Sequence, residues 1–121
     1  MTTPAPIRLT RNSTKWFEGL TDSLSKAVDE YGLPDKPDWQ PLADLSGQTM
    51  FEGIETYGDS TVIEGDQLVA PATVYVTLTY DPNSNEPSSF GDSYPARVFF
   101  SVDGNEVVVK HIEVDTHSFY E

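Results

Sequence analysis

Residues 73–80 read TVYVTLTY, and this stretch decides the fold of the 121-residue chain. Its apolar residues alternate with polar or aromatic ones, a period of two that predicts a β-strand with one buried face. The predicted core face consists of Val74, Val76, Leu78 and Tyr80. Such a strand needs other strands beside it and a second layer over its buried face, so the rest of the chain is expected to supply both.

The segments before this strand repeat the alternation. Residues 49–57 predict one strand, and residues 60–64 and 67–70 flank Gly65-Asp66, a pair suited to a tight two-residue hairpin. Pro71 interrupts the pattern and is expected at a sheet edge or a bend, because proline cannot donate to a ladder.

Two further strands follow. Residues 97–102 and 106–114 flank Asp103-Gly104, a strong hairpin signal, while residues 81–95 are predicted to form a long solvated connection. In the last strand, alternation places Val108, Ile112 and Val114 on one face, together with the charged residue Lys110. It places Val107, Val109 and His111 on the other face. The sequence therefore predicts an antiparallel meander of four to six strands.

Residues 13–31 predict the one helix that covers this sheet. Gly32 supplies its C-terminal cap, and Pro34 prevents its continuation. Residues 1–12 are predicted to be an extended arm, and residues 13–121 a single domain. The fold class is α+β, with one N-terminal amphipathic helix packed on an antiparallel β-sheet. Its apolar face is formed by residues spaced three and four apart, namely Trp16 or Phe17, Leu20, Leu24, Ala27, Val28 and Tyr31.

Residues 33–48 contain three prolines and predict an ordered crossing segment with one short turn at residues 41–45. Its predicted anchors on the core are Trp39, Leu42 and Leu45. An exposed Trp39 would instead be an interface anchor, because Trp is enriched at the energetic centres of interfaces. The sequence leaves both interpretations open.

The charge is distributed unevenly. Residues 1–36 contain five acids and five bases, whereas residues 37–96 contain ten carboxylates and no Lys, Arg or His. The net charge of -13 therefore arises in the second part of the chain. Ordinary surfaces mix both signs, because mixing limits self-repulsion. A surface of this kind repels nucleic acid and anionic lipid and attracts basic proteins through long-range, salt-sensitive steering.

The sequence contains no recognisable catalytic motif. It has no Cys, no glycine-rich phosphate motif and no serine in a nucleophile elbow. His111, Glu113 and Asp115 share a strand face and could orient an imidazole or hold a metal, but zinc needs further well-placed ligands. An ordinary strand histidine is the simpler interpretation. We therefore expect a protein that is not an enzyme and has no cofactor.

The connection at residues 81–95 carries oxygen ligands at the spacing of an EF-hand-type calcium loop. Glu86 stands at the sixth position, where the sharp turn needs glycine, and the flanking segments are strands instead of helices. A solvated hairpin loop, with Phe90 and Tyr94 as recognition contacts, is the simpler interpretation. The candidate calcium ligands are Asp81, Asn83, Asn85, Ser89 and Asp92.

The acidity can be interpreted in two ways. It could serve only solubility or adaptation to high salt, or it could serve the recognition of a basic surface. The leading functional hypothesis is a non-catalytic acidic protein that docks on a basic protein, such as a nuclease or another nucleic-acid-binding protein. It would inhibit that partner as DNA mimics of the anti-restriction or anti-CRISPR type do, or as toxin-immunity proteins do. The predicted contact set comprises Glu52, Glu55, Asp59, Glu64 and Asp66, together with Trp39 and Phe90.

Two alternatives belong to other classes of function. A small structural or assembly protein, such as a virion or secretion component, would use Trp39, Phe90 and the sheet edge. A calcium-stabilised module would use the ligands named above. No apolar run reaches the roughly 20 residues of a membrane span, and no secretory apolar segment is evident, so a cytoplasmic location without direct membrane or nucleic-acid contact is expected.

Overall fold

Antiparallel β-sheet dominates the computed structural model, which describes residues 7–8, 20–103 and 106–120. The described strands are β1 (Ile7–Arg8), β2 (Gln48–Thr56), β3 (Val62–Glu64), β4 (Gln67–Tyr80), β5 (Ser88–Asp103) and β6 (Glu106–Val114). Helix α1 is Leu20–Tyr31 and the short helix α2 is Gln40–Ala43, with 3-10 turns at Leu33–Asp35, Pro37–Trp39, Gly58–Ser60 and His117–Tyr120. The predicted α+β class, a helix packed on an antiparallel sheet, is confirmed.

Strand β4 lies at the centre of the sheet. On one side it pairs with β5 from residue 68 to residue 80. On the other side it pairs with two separate strands, with β2 along residues 72–79 and with β3 along residues 67–69. β6 continues the sheet beyond β5, and β1 continues it beyond β3. The stretch that the sequence singled out is therefore enclosed between β2 and β5.

Pro71 lies inside β4, so the prediction of a bend or a sheet edge at this residue is wrong. Its carbonyl accepts a hydrogen bond from the Tyr57 N–H at 2.9 Å, on the side of β4 where β2 ends and β3 has not yet begun. The backbone nitrogen of a strand residue points the same way as its carbonyl, so the missing N–H faces this gap. The central strand tolerates proline there because no ladder donor is needed.

The core lies between the sheet and α1. Leu20, Leu24 and Val28 of the helix are buried in one cluster with residues on one face of the sheet, which we call the inner face; the opposite face is the outer face. Gly32 ends the helix with a left-handed φ of 72°, as predicted. None of the described helices is long and apolar enough to span a membrane. The strand residues of this core are Ala70, Ala72, Val74, Val76, Leu78, Tyr94, Ala96, Val98, Phe100 and Ile112.

The crossing segment is anchored on the core as predicted. Leu42 and Leu45 are buried, and the turn expected near residue 41 is helix α2. Trp39 is half-buried and meets the ring of Phe51 edge to face, with 6.0 Å between centroids. In the tail, Phe119 folds back against the core. The predicted helix residues 13–19, most of the predicted arm and residues 104–105 of the last hairpin lie outside the described residues.

Two β-bulges change which side chains face the core. In β6 the register skips Lys110, so Val107 and Val109 turn inward and Val108 is 37% exposed. The predicted facing of these three valines is wrong, because simple alternation does not count an inserted residue. A second bulge lies in β2 at Glu52. The inner face of β6 is formed by Val107, Val109, Ile112 and Val114.

β5 begins at Ser88, so the predicted long connection shrinks to a hairpin loop at residues 81–87. Residues 88–95 pair with residues 73–80 of β4 despite their turn-like composition, because cross-strand pairing outweighs intrinsic propensity. On their far side no described strand pairs with them, since the register of β6 begins at Ala96.

Candidate protein-binding surface

The carboxylates of the predicted contact set follow one side of β4 in chain order. Glu52 and Glu55 lie on β2, and Glu64 lies on β3. Asp59 lies in the 3-10 turn between these strands and Asp66 in the turn before β4, both exposed. Glu55 faces residue 73 of β4 and Glu64 faces residue 67, which is roughly 20 Å along a strand. The structure therefore arranges the set as a row and does not gather it into one cluster.

Arg97 interrupts this row. From β5 its guanidinium reaches across β4 to bond the Glu64 carboxylate, with the two side chains 47% and 33% exposed. The bond to Glu64 raises the pKa of Arg97 above its ordinary value. The guanidinium also lies 5.0 Å from the centroid of the Phe99 ring. A stretch of one sign in the sequence is thus partly neutralised in space.

Glu52 and Glu55 lie beside hydroxyl groups. The Thr77 hydroxyl donates to Glu52 Oε2 at 3.1 Å, which orients the carboxylate on the outer face. Glu55 lies beside the Tyr57 hydroxyl, which is 3.0 Å from the hydroxyl of Thr73. The hydrogen bond with Thr73 lowers the pKa of Tyr57, but the neighbouring Glu55 carboxylate outweighs it and raises that pKa above the ordinary value. Among the described residues, no ion pair involves either carboxylate.

Exposed apolar side chains surround these two carboxylates, and sequence reasoning missed them. Met50 is 52% exposed, Tyr75 41% and Tyr57 40%. Alternation did place Tyr75 opposite the core, but its accessibility depends on its cross-strand neighbours and hence on register. We call Met50, Glu52, Glu55, Tyr57 and Tyr75 the outer patch.

Tyr75 stands uncovered because its two cross-strand neighbours are small. It pairs with Gly53 on β2 and with Ser93 on β5, and the space that a Cβ of Gly53 would enter is open. A shallow groove of about 450 Å³ runs beside the ring. Larger cross-strand neighbours would pack against the ring, so its exposure follows from the register. The outer-face residues that line the groove include Glu52, Tyr75, Thr77, Gly91 and Ser93.

The two aromatic members of the predicted contact set lie away from the outer patch. Trp39 packs against Phe51 on the inner-face side. Phe90 is 48% exposed and stacks on Tyr80, with 5.7 Å between centroids, near the hairpin loop. Because Phe90 pairs with Leu78, it faces the same side as the core. The structure does not bring these rings together with Glu52 and Glu55.

Part of the negative charge serves the fold. Asp38 Oδ2 accepts hydrogen bonds from the Tyr31 hydroxyl at 2.6 Å and from the Ile112 N–H at 3.0 Å, which ties the crossing segment to α1 and β6. Burial, together with the Asp38 carboxylate, raises the pKa of Tyr31 to about 12. Asp115 accepts a hydrogen bond from the His117 N–H at 2.9 Å. The count of carboxylates therefore overstates the charge that is available to a partner.

Asp92 has a related role at the unpaired margin of β5. Its Oδ1 accepts from the Ser93 N–H and its Oδ2 from the Tyr94 hydroxyl, both at 2.8 Å. The Asp115 N–H donates to the Pro95 carbonyl, so odd-numbered residues of β5 direct their backbone groups towards this margin. The carboxylate of Asp92 thus occupies a donor that would otherwise be offered to another strand.

The predicted calcium ligands do not converge. Ser89 and Asp92 lie within β5, and Asp92 pairs with Val76, whereas Asp81 follows the end of β4. Val76 lies four positions before Tyr80 on β4, a distance of roughly 13 Å along the strand. The hydroxyl of Ser89 lies 2.9 Å from that of Thr79. The side chains of Asp81 and Asp92 are thus held at different levels of the hairpin.

The histidine candidate site is equally dispersed. His111 Nε2 lies 3.3 Å from Glu113 Oε2, and its ring stacks on Phe99 with 4.2 Å between centroids. Asp115 is instead bonded to the backbone of His117. Within residues 7–8, 20–103 and 106–120, no three His, Asp or Glu side chains are grouped so that they could hold a metal ion.

Comparisons with known proteins give no relative: no family model matches this chain, and no curated protein or solved structure is significantly similar to it.

Proposed function

We propose that this protein is a non-catalytic binding protein that docks on a basic surface of another protein, most specifically to inhibit a nucleic-acid-handling protein. The observation that carries this proposal is the row of carboxylates along one side of β4, drawn from a stretch of sixty residues without a base. Four of its five members, all but Glu64, are free of an ion pair among the described residues. Such a row attracts basic grooves that are built to accept phosphates.

The row carries fewer negative charges per unit length than nucleic acid does. Duplex DNA carries one charge per about 1.7 Å of its axis, whereas the five carboxylates are spread over roughly 30 Å of β4. We therefore infer that the protein replaces a few phosphates at the entrance of a groove and does not imitate a whole duplex. Its attraction to the partner decays over about 10 Å at moderate ionic strength, so steering by the row is strong only at low salt.

The experiment that tests this function is competition. The immobilised chain is exposed to a lysate of its own host, captured proteins are eluted with increasing salt, and each is tested for binding of labelled duplex DNA with and without added chain. We expect basic proteins that elute at moderate salt and release DNA when the chain is added. Binding that is unaffected by ionic strength, or DNA that stays bound in the presence of the chain, would contradict the proposal.

One observation favours an assembly protein as the second candidate. Residues 88–95 of β5 lack a described neighbour on one side, and Phe90 is exposed on the same segment. Asp92 weakens this candidate, because it occupies the Ser93 N–H at the unpaired margin. Solution mass separates the two functions, since an assembly protein forms a defined oligomer and an inhibitor of the proposed kind is monomeric.

A further inference from the structure

We propose that the outer patch binds arginine side chains of a basic protein, with the guanidinium stacked on Tyr75 and paired with Glu52. This inference rests on the proposed function and goes further, because it names the part of the acidic surface that makes contact and the residue type that it accepts. The five-residue row alone would attract lysine and arginine equally.

The geometry around Tyr75 favours a flat cation. Gly53 and Ser93 leave the ring uncovered, and the groove beside it is open to the outside. An arginine side chain can lay its aliphatic stem along such a groove and place its planar guanidinium over the ring. A lysine ammonium is a compact, strongly hydrated point charge and gains less from an exposed aromatic face.

The carboxylates beside the groove favour a positively charged occupant. Glu52 forms one wall of the groove, and the Thr77 hydroxyl holds its carboxylate in place, so little ordering is needed on binding. Glu55 lies on the same strand face and adds a second negative charge, and no ion pair within the described part of the chain involves it. A carboxylate accepts two N–H groups of a guanidinium side by side, a geometry that an ammonium cannot match.

The apolar members of the patch supply the remaining contact. Met50 and Tyr57 flank the carboxylates and are about half and two-fifths exposed. Interfaces are typically organised around a few aromatic residues and arginines, with charged groups around them. The outer patch provides the aromatic and acidic half of such an arrangement, so its partner provides arginine.

The test compares an oligo-arginine peptide with an oligo-lysine peptide of equal length, each fluorescently labelled and titrated with the full chain at low ionic strength. Four variants are used. Glu52→Gln removes the wall carboxylate, Tyr75→Phe keeps the ring, and Gly53→Thr places a side chain in the space beside the ring, where a Cβ has no atom within 4 Å. Glu86→Gln in the exposed hairpin loop is the matched control, because it removes the same charge far from the patch.

We expect the arginine peptide to bind more tightly than the lysine peptide, and Glu52→Gln to weaken its binding about two- to fivefold. Gly53→Thr should weaken it by a similar factor of about two to five while raising the unfolding midpoint, since glycine within a strand is destabilising. Weaker binding together with a higher unfolding midpoint excludes misfolding as the cause of the weaker binding. Tyr75→Phe should retain the preference for arginine, and Glu86→Gln should change binding less than about 1.5-fold.

Two results would overturn the inference in distinguishable ways. If both peptides bind equally and Glu52→Gln acts no more strongly than Glu86→Gln, contact is through diffuse charge; the outer patch is then not the site, and the proposed function stands. If neither peptide binds even at low ionic strength, the attraction to basic partners is absent, and the proposed function fails together with the inference.

Discussion

Arg97 of β5 bonds Glu64 of β3 across the intervening strand β4, so the first base after a long acidic stretch neutralises one of the carboxylates of that stretch. Both side chains are partly exposed, and the pair is therefore expected to contribute only about 0.2–1 kcal/mol to the free energy of unfolding. A double-mutant cycle of Arg97→Gln and Glu64→Gln, followed by urea denaturation, measures this coupling. It should shrink when salt is added; a coupling that is independent of salt would contradict a surface ion pair.

Tyr31 makes stability depend on alkaline pH. Its pKa is about 12 in the folded protein and 10.0 in an unperturbed tyrosine, so between these values the unfolded chain loses a proton that the folded chain keeps. The stabilising contribution is fully present below pH 10 and is lost as the pH rises through 12. The stability advantage of the wild type over Tyr31→Phe should therefore decrease over this interval, as measured by urea denaturation at each pH. A constant difference would show that the hydroxyl titrates normally.

The bulge at Lys110 predicts that two adjacent deletions lower stability by unequal amounts. Deleting Lys110 removes the inserted residue and leaves every other inward or outward position of β6 unchanged, so the free energy of unfolding should fall by about 1 kcal/mol or less. Deleting Val109 instead draws Lys110 into the inward position opposite Phe100, which should cost about 2–4 kcal/mol. Chemical denaturation of both variants gives the comparison. Equal losses would contradict the described register.

We expect Asp92 to prevent another strand from pairing with the unpaired margin of β5. Asp92→Ala frees the Ser93 N–H and leaves the hydroxyl of the buried Tyr94 without this acceptor. We expect a loss of about 1–3 kcal/mol of stability and association that increases with protein concentration. Sedimentation or light scattering measures the association. Asp92→Asn is the control, because its side-chain oxygen can still accept a hydrogen bond from the Ser93 N–H. If both variants stay monomeric at high concentration, the prediction that Asp92 prevents strand pairing is wrong.

Local sequence signals predicted much of the fold. Gly32 ends the helix, Gly65 lies in the tight turn with a φ of 62°, and residues 74, 76 and 78 face the core. These features follow from a few neighbouring residues, for which backbone sterics and alternation are sufficient. The bulges could not be predicted in the same way, because an inserted residue is visible only when two strands are aligned.

The candidate surface was predictable only in part. The charge bias identified Glu52 and Glu55, since it is a property of composition. The exposure of Tyr75 depends on Gly53 and Ser93, which are 22 and 18 residues away and become neighbours only through the register of β4. The neutralisation of Glu64 by Arg97 likewise joins two strands that are distant in sequence. Long-range pairing therefore decides which of the acidic residues form a usable surface.

Pro71 has a consequence for how the sheet selects one alignment. The sequence of β4 beyond it repeats apolar and threonine residues so regularly that a slip of two positions would keep every side chain on its proper face. Such a slip would carry the proline ring out of the gap and against a strand that needs a donor, β2 in one direction and β3 in the other. Pro71, a residue type usually regarded as a strand breaker, thus selects one register of β4. This register keeps Tyr75 opposite Gly53.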